Sequence, residues 1–263
     1  MAVRALSIDL NCDVGERPEA LRDGSEEALL GLVTSANIAC GGHAGDATTM
    51  AAPLRLAARH GVAPGAHPGY PDRDGFGRRN LGLTPGEIEE TVAAQLRTLA
   101  QAARREGCEL THVKPHGALY NDAAREPEIA RAIARAVRSF RSDILVFALA
   151  GSRALEVFGA SGLAVAAEAF ADRAYEADGS LRSRQLVGAL LTDPAVVAAQ
   201  ALAIARDGIV HAWDGTEVRV AADTLCLHSD TPGAIANAAA VVAALRAHGI
   251  QLAPAKPVHI NPP

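Results

Sequence analysis

The chain has 263 residues, 49% hydrophobic and 21% charged, enough for one sizeable core in a soluble globular protein. A net charge of −5 excludes the basic surface that nucleic acid or an anionic membrane would need, and no apolar run approaches the roughly 20 residues of a membrane span. Four cysteines without CxxC spacing exclude a disulfide scaffold; with no signal-peptide apolar stretch near the start, the chain is read as cytoplasmic with reduced thiols.

Strand-like and helix-like segments alternate along the chain. A strand over 6–10 precedes a helix after Ser25, and a strand over 36–40 precedes a helix from Asp46 to about His60. The strand over 62–66 leads to a helix opening at Thr84-Pro85, with Glu87 as the acid of a capping box, and ending near Gly107. Strands over 111–114, 144–148, 163–167 and 224–228 are followed by helices over 126–140, 152–158, 194–206 and 232–248. Gly61, Gly107 and Gly249 stand where helix C-caps are expected. Two segments break the alternation: the loop 68–82, and 211–222, where Trp213-Asp214-Gly215-Thr216 reads as a hairpin turn. Seven strands with seven following helices predict an α/β fold, a seven-stranded (β/α) barrel forming one domain over 1–263. A doubly wound open sheet is the alternative.

Polar residues collect at one end of the strands. Asp9, Asn11, Asp13 and Glu16 follow the first, and the turn Cys40-Gly41-Gly42-His43-Ala44-Gly45-Asp46 follows the second. His67 ends the third, Lys114 and His116 the fourth, and Glu168, Asp172 and Arg173 the sixth; His228 and Asp230 end the last. In a parallel barrel that end is where catalytic groups converge. Asp13, His43, His67, Lys114 and His116 are the expected catalytic residues. Lys114 is one of only two lysines among 25 basic residues, and a compact ammonium can steady an oxyanion. Asp9, Asn11, Glu168, Asp172, Arg173, His228 and Asp230 are expected to bind substrate, as is Arg78 in the loop 68–82, read as a lid closing on a carboxylate or phosphate. His112 and His211 are read as structural. Three histidines with carboxylates could hold a metal, yet their spacing is not diagnostic, so a metal is left open. No GxxxxGK[ST] or GxGxxG offers a grip on a nucleotide.

The segments DLNCDVGE at 9–16, ANIACGGHAGD at 36–46, GAHP at 65–68, PDRDGFGR at 71–78, VKPHGALY at 113–120, EAFADRAY at 168–175 and HSDTPGA at 228–234 together resemble the LamB/YcsF family. Two positions depart from that pattern: Gly42, where an aromatic is usual, and Ser229, where glycine is usual. The resemblance implies a barrel of the glycoside hydrolase/deacetylase type. It also implies ATP-dependent 5-oxoprolinase activity, which opens 5-oxo-L-proline to L-glutamate with ATP (and its Mg²⁺) as co-substrate, together with partner subunits B and C. Lactam opening needs a base for water, a cation for the oxyanion and an acid for the ring nitrogen. Asp13 or a histidine, Lys114, and a second histidine are expected in those roles. The alternatives are a metal-dependent deacetylase or amidase on a similar barrel, and a non-catalytic regulatory subunit.

Overall fold

Residues 6–256 are described by the computed structural model; the outer ends of the expected domain, 1–5 and 257–263, lie outside the described residues. In chain order the elements are β1 (Ser7–Val14), α1 (Pro18–Arg22), α2 (Ser25–Leu30), β2 (Ser35–Ala39), α3 (Ala51–His60), β3 (Ala63–His67), α4 (Pro85–Arg105), β4 (His112–Val113) and α5 (Gly117–Arg125). There follow α6 (Pro127–Phe140), β5 (Leu145–Leu149), α7 (Arg153–Ala160), β6 (Ala164–Phe170) and α8 (Pro194–Leu202), which runs on as a π-helical turn over Ala203–Asp207. Last come β7 (Ile209–His211), β8 (Glu217–Arg219), β9 (Thr224–Leu227), α9 (Ala234–Ala247) and β10 (Gln251–Leu252). Strands β1 to β6 and β9 pair in parallel, and β9 pairs back onto β1, closing a seven-stranded barrel. Strand β10 adds beside the start of β1, and β7 with β8 is the expected hairpin.

All seven expected strands are present, but two are longer than their apolar runs suggest. In β1, Ile8, Leu10, Cys12 and Val14 are buried against the helices, while Asp9, Asn11 and Asp13 alternate with them and point inward. The period of two therefore continues through the polar residues. These side chains lie within the strand rather than after it, because the barrel interior itself is polar. Strand β6 likewise extends through Glu168 to Phe170. The apolar part of the interior is small: Leu145, Phe147, Ala164 and Ala166 fill one side, and His112 stacks on Phe147 at 4.3 Å.

The capping box of α4 forms as expected: Thr84 Oγ1 accepts from the Glu87 amide, and Glu87 Oε2 accepts from the Thr84 amide at 2.8 Å. Helix α3 starts at Ala51, five residues after Asp46. Asp46 Oδ1 instead accepts from the amides of Thr48 and Thr49, holding a turn. Helices α1 and α5 are additions to the expected set, since neither has a side-chain N-cap to announce it.

Helix α2 docks on the end of β1 through Glu26, whose Oε2 accepts from the Gly15 amide at 2.9 Å. Burial pushes the Glu26 carboxyl from 4.5 up to about 7, against the pull of that amide. A raised carboxyl binds its proton more tightly when folded, so its stabilisation is full below the unfolded value and is lost as pH rises through 7. Glu26→Gln keeps an acceptor for Gly15 and removes the titration. The variant is expected to gain on the parent between pH 5 and pH 8, by about 3 kcal/mol at most. Urea melts across that range check it; a pH-independent difference would mean that Glu26 titrates as it does in water.

Candidate functional site

Lys114 follows β4, and Pro115 behind it holds its backbone extended. Its ammonium ends inside the barrel, 2.9 Å from Glu168 Oε1 and 3.1 Å from Asp13 Oδ1. It also donates to Asn11 Oδ1 at 3.2 Å and reaches Cys226 Sγ at 3.0 Å. The side chain is 3% exposed. Burial alone would strip its proton, but the flanking carboxylates hold its pKa well above the usual lysine value. Asp13 moves the opposite way: burial would raise it, and His67 and Lys114 hold it well below the usual carboxylate range. Asn37 ties the layer together, donating to Asn11 Oδ1 and Asp13 Oδ1 and accepting from His112 Nε2. With a pKa pushed down by burial to about 3, His112 is a neutral structural donor.

Beside this group lie three histidines and Glu16. The His43 and His116 rings stack at 3.5 Å, and both meet His67 edge-on. His67 Nδ1 sits 2.7 Å from the Lys114 carbonyl, and His116 Nε2 sits 2.9 Å from the Phe76 carbonyl. A carbonyl only accepts, so both of these nitrogens carry hydrogen. The inner nitrogens, His67 Nε2 and His116 Nδ1, are then 2.9 Å apart. Glu16 Oε1 lies 2.9 Å from His43 Nε2 and 3.3 Å from His116 Nδ1. Burial pushes His43 and His116 well below the usual histidine value, while Asp13 at 3.5 Å outweighs burial and raises His67. Positive charge in the cluster therefore belongs on His67 when only protons are present.

The loop 68–82 is less a free lid than a tied wall. Asp72 pairs with Arg79 and accepts from the Gly75 amide, and Arg73 bonds the Gly45 carbonyl. Phe76 has φ +54, a strained value for a bulky residue, and its carbonyl fixes His116. Gly77 must be glycine, since a Cβ there would stand 2.7 Å from His43 Cβ. Arg78 does face the opening, but it is paired with Asp230, which also holds Arg184 at 3.1 Å. Arg79 is thus spent within the loop and Arg73 on the Gly-rich turn after β2, and of the loop's arginines only Arg78 reaches across the mouth.

On the far wall His228 Nδ1 lies 2.9 Å from Asp172 Oδ1, and Asp172 Oδ2 accepts from the His228 amide and from Thr231. His228 stacks on Phe170 at 5.4 Å. Arg173 spends Nε and Nη2 on the carbonyls of Ala189 and Arg182, pinning the segment between β6 and α8. The mouth encloses about 650 Å³, lined by Asp13, Glu16, His67, Lys114, His116 and His228 with Arg78, Arg173 and Arg184 around them.

Asp9 is placed differently from the mouth carboxylate expected. It is 1% exposed, lies below the lysine, and accepts from Thr34, Ser35 and Thr224 hydroxyls. Burial raises it to about 6 despite those bonds. Asp9, Asn11 and Glu168 hold the barrel interior, and none lines the opening. Glu16 and Cys226 are the site members that sequence reasoning misses. Glu16 is visible in the polar run after the first strand, but nothing in its spacing aims it at the histidines. Cys226 reads as a small core hydrophobe, and only closure of β9 onto β1 brings it to Lys114. The two departures from the family pattern lie off the cavity wall. A Cβ at Gly42 would stand 2.5 Å from Gln95 Oε1, so Gln95, bridging to Gly69, fills that space. Ser229 does not have positive φ, so glycine is not required there, and its carbonyl accepts from Arg17.

The LamB/YcsF family model matches residues 8–259, and the chain belongs to that family. It is 56% identical over 245 residues to the A component of the 5-oxoprolinase of Chloroflexus aggregans, covering 93% of this chain and 97% of that one. Identity to the corresponding 5-oxoprolinase component of Bordetella parapertussis is 49% over 246 residues, covering 94% and 98%. A solved structure, the lactam utilization protein from Thermus thermophilus, superposes with a TM-score of 0.87 at 44% identity, covering 94% of this chain and 99% of that one.

Removing the ammonium would leave Asp13 and Glu168 buried side by side. Lys114→Met is expected to cost about 3–5 kcal/mol of unfolding free energy at pH 7. Because Asp13's folded pKa is depressed, the lost stabilisation is present above its ordinary 3.8 and fades as pH falls below it. The gap between parent and variant should therefore narrow at acid pH. Denaturant melts at pH 7 and pH 3 test this, and a Lys114→Met chain as stable as its parent at pH 7 would refute it.

Proposed function

We propose that the chain is the A component of an ATP-dependent 5-oxoprolinase, hydrolysing the amide bond of 5-oxo-L-proline to give L-glutamate. The observation that carries this reading is the mouth itself: a buried ammonium, an oriented imidazole and an electropositive histidine cluster converge on one cavity lined by arginines. The relatives that bear the 5-oxoprolinase name and the lactam utilization protein support it. Opening a lactam breaks a resonance-stabilised C–N bond, and the three demands are a base, an oxyanion partner and an acid.

We assign these roles from the contacts at the mouth. Asp172 accepts from His228 Nδ1, which leaves Nε2 as the basic nitrogen, an arrangement suited to taking a proton from water. Lys114, fixed between two carboxylates, presents its charge to the lactam oxygen. The proton that His228 Nε2 takes from water is returned to the departing ring nitrogen, while Asp13 and Glu16 hold the positive charge of the histidine wall beside it. Arg78, Arg173 and Arg184 suit the substrate carboxylate or a phosphoryl group. With no P-loop or dinucleotide fingerprint in the sequence, the ATP-using step is assigned to partner subunits B and C. Phosphorylating the lactam oxygen there would weaken the amide before water attacks here. No described helix is long and apolar enough to cross a membrane, and we place the complex in the cytoplasm.

Glutamate release from 5-oxoproline, measured with the chain alone, with its partner subunits, and with and without ATP, tests the assignment. Turnover is expected only in the complete mixture. His228→Ala is expected to lower it by at least roughly 10²-fold, the scale of losing a general base, with some loss of stability because Asp172 Oδ1 is left without its partner; circular dichroism checks that the variant is folded. Undiminished turnover in His228→Ala would remove the base; no glutamate from the complete mixture would remove the activity.

A further inference from the structure

We propose that Glu16, His43, His67 and His116 form a binding site for one divalent transition-metal ion, with zinc the best chemical match. The four side chains each offer one donor atom, and these atoms all lie within 4.8 Å of one another. They come from four separate parts of the chain: the segment after β1, the Gly-rich turn after β2, the end of β3 and the segment after β4. The three histidines are at most 6% exposed, and the Glu16 side chain is 4% exposed. The inner donors are spaced at 2.9 Å (His43 to Glu16), 2.9 Å (His67 to His116), 3.3 Å (His116 to Glu16) and 3.8 Å (His67 to Glu16). Four ligands placed tetrahedrally about 2.0–2.1 Å from zinc stand about 3.3 Å apart.

The outer nitrogens give the independent argument. Metal-bound histidines characteristically donate their far N–H to a fixed acceptor. His67 does so to the Lys114 carbonyl and His116 to the Phe76 carbonyl. Their inner nitrogens then confront each other as lone pairs unless something positive lies between them. His43 lacks such an outer acceptor, since its buried Nδ1 has no partner; its ring lies parallel to that of His116 at 3.5 Å, and with no outer bond to hold it the ring turns out of this stack to bring its in-plane lone pair onto the ion. A second group of possible ligands, Asp13, Cys226 and His228, already holds a cation: the Lys114 ammonium stands 3.1 Å from Asp13 and 3.0 Å from Cys226. The site does not depend on which amide the protein hydrolyses.

The test uses the full-length untagged chain, stripped with a chelator and titrated with Zn²⁺ and Co²⁺ by calorimetry. One ion per chain is expected, with proton release as the metal displaces the proton shared by His67 and His116. Co²⁺ should give the intense visible absorption of a four-coordinate site. His43→Gln and Glu16→Gln are each expected to weaken binding at least roughly 100-fold, more than the loss of an outer partner. Circular dichroism establishes that each variant is folded; if either is not, the cobalt spectrum of the parent decides by itself. Substoichiometric uptake, a weak six-coordinate cobalt spectrum, or equal affinity in parent and folded variants would overturn the proposal. Because the readouts are stoichiometry and spectrum, they stand whether or not glutamate is produced.

Discussion

The ammonium of Lys114 sits between Asp13 and Glu168 where a barrel of this size would ordinarily pack aliphatic side chains. Taking such charges out of water costs several kcal/mol per ion, and their mutual attraction offsets this only when the remaining polar atoms are also bonded. The interior supplies those bonds in layers. Asn11 and Asn37 link Asp13, Glu168, Thr224 and His112 across the barrel. Below them three hydroxyls close around Asp9. One atom is left over, since Glu168 Oε2 is buried without a hydrogen-bond partner, and every further unpaired member would add its own desolvation penalty. The barrel therefore holds this lysine as part of its core, and stability and charge placement at this site cannot be varied independently.

Backbone carbonyls do the corresponding work for the histidines. Lys114 contributes twice, through its ammonium and through the carbonyl that fixes His67. The loop 68–82 uses a strained Phe76 and an obligatory Gly77 to bring one carbonyl to His116 and its backbone against His43. Strain of this kind persists only where surrounding contacts over-determine it. Here the Asp72–Arg79 pair and the Asp72 to Gly75 bond anchor the loop from both sides. The loop is thus a scaffold for the imidazoles, and its arginines are mostly occupied in holding it.

The strand count, the barrel and the polar mouth are all legible in the sequence because period-two and period-3.6 patterns are local. What escapes is set by closure. A local pattern treats polar residues as the end of a strand, so Asp9 reads as a mouth group; only a polar interior makes it a buried one. Glu16 and Cys226 carry no local signal, since their partners His43 and Lys114 lie 27 and 112 residues away. Helix α5 is invisible because His116, its N-cap, makes no side-chain cap bond; its ring is committed to His67 and Phe76. A residue bound up in the site cannot also advertise a helix start, which is why local reading fails at this point.

Charge at the floor of the mouth follows from the same closure. Asp13, Glu16 and Glu168 face one permanent cation, Lys114, while Asp172 and Asp230 answer to His228 and to Arg78 with Arg184 on the outer wall. The inner group is therefore two positive charges short when its carboxylates are ionised. Protons can make up the difference, one on His67, whose pKa Asp13 raises, and one on Glu16, whose pKa burial raises. A single divalent ion held by Glu16 and the three histidines makes up the same two charges at once, and it does so without placing protons between nitrogens already committed to their outer acceptors. Either way the positive charge that answers the deficit is gathered on the histidine wall, while His228 stands on the opposite wall with Asp172 as its own partner. His228 follows β9, while His67 and His116 come from β3 and β4 across the seven-stranded ring, and that placement allows a base and an electropositive wall to coexist within one opening.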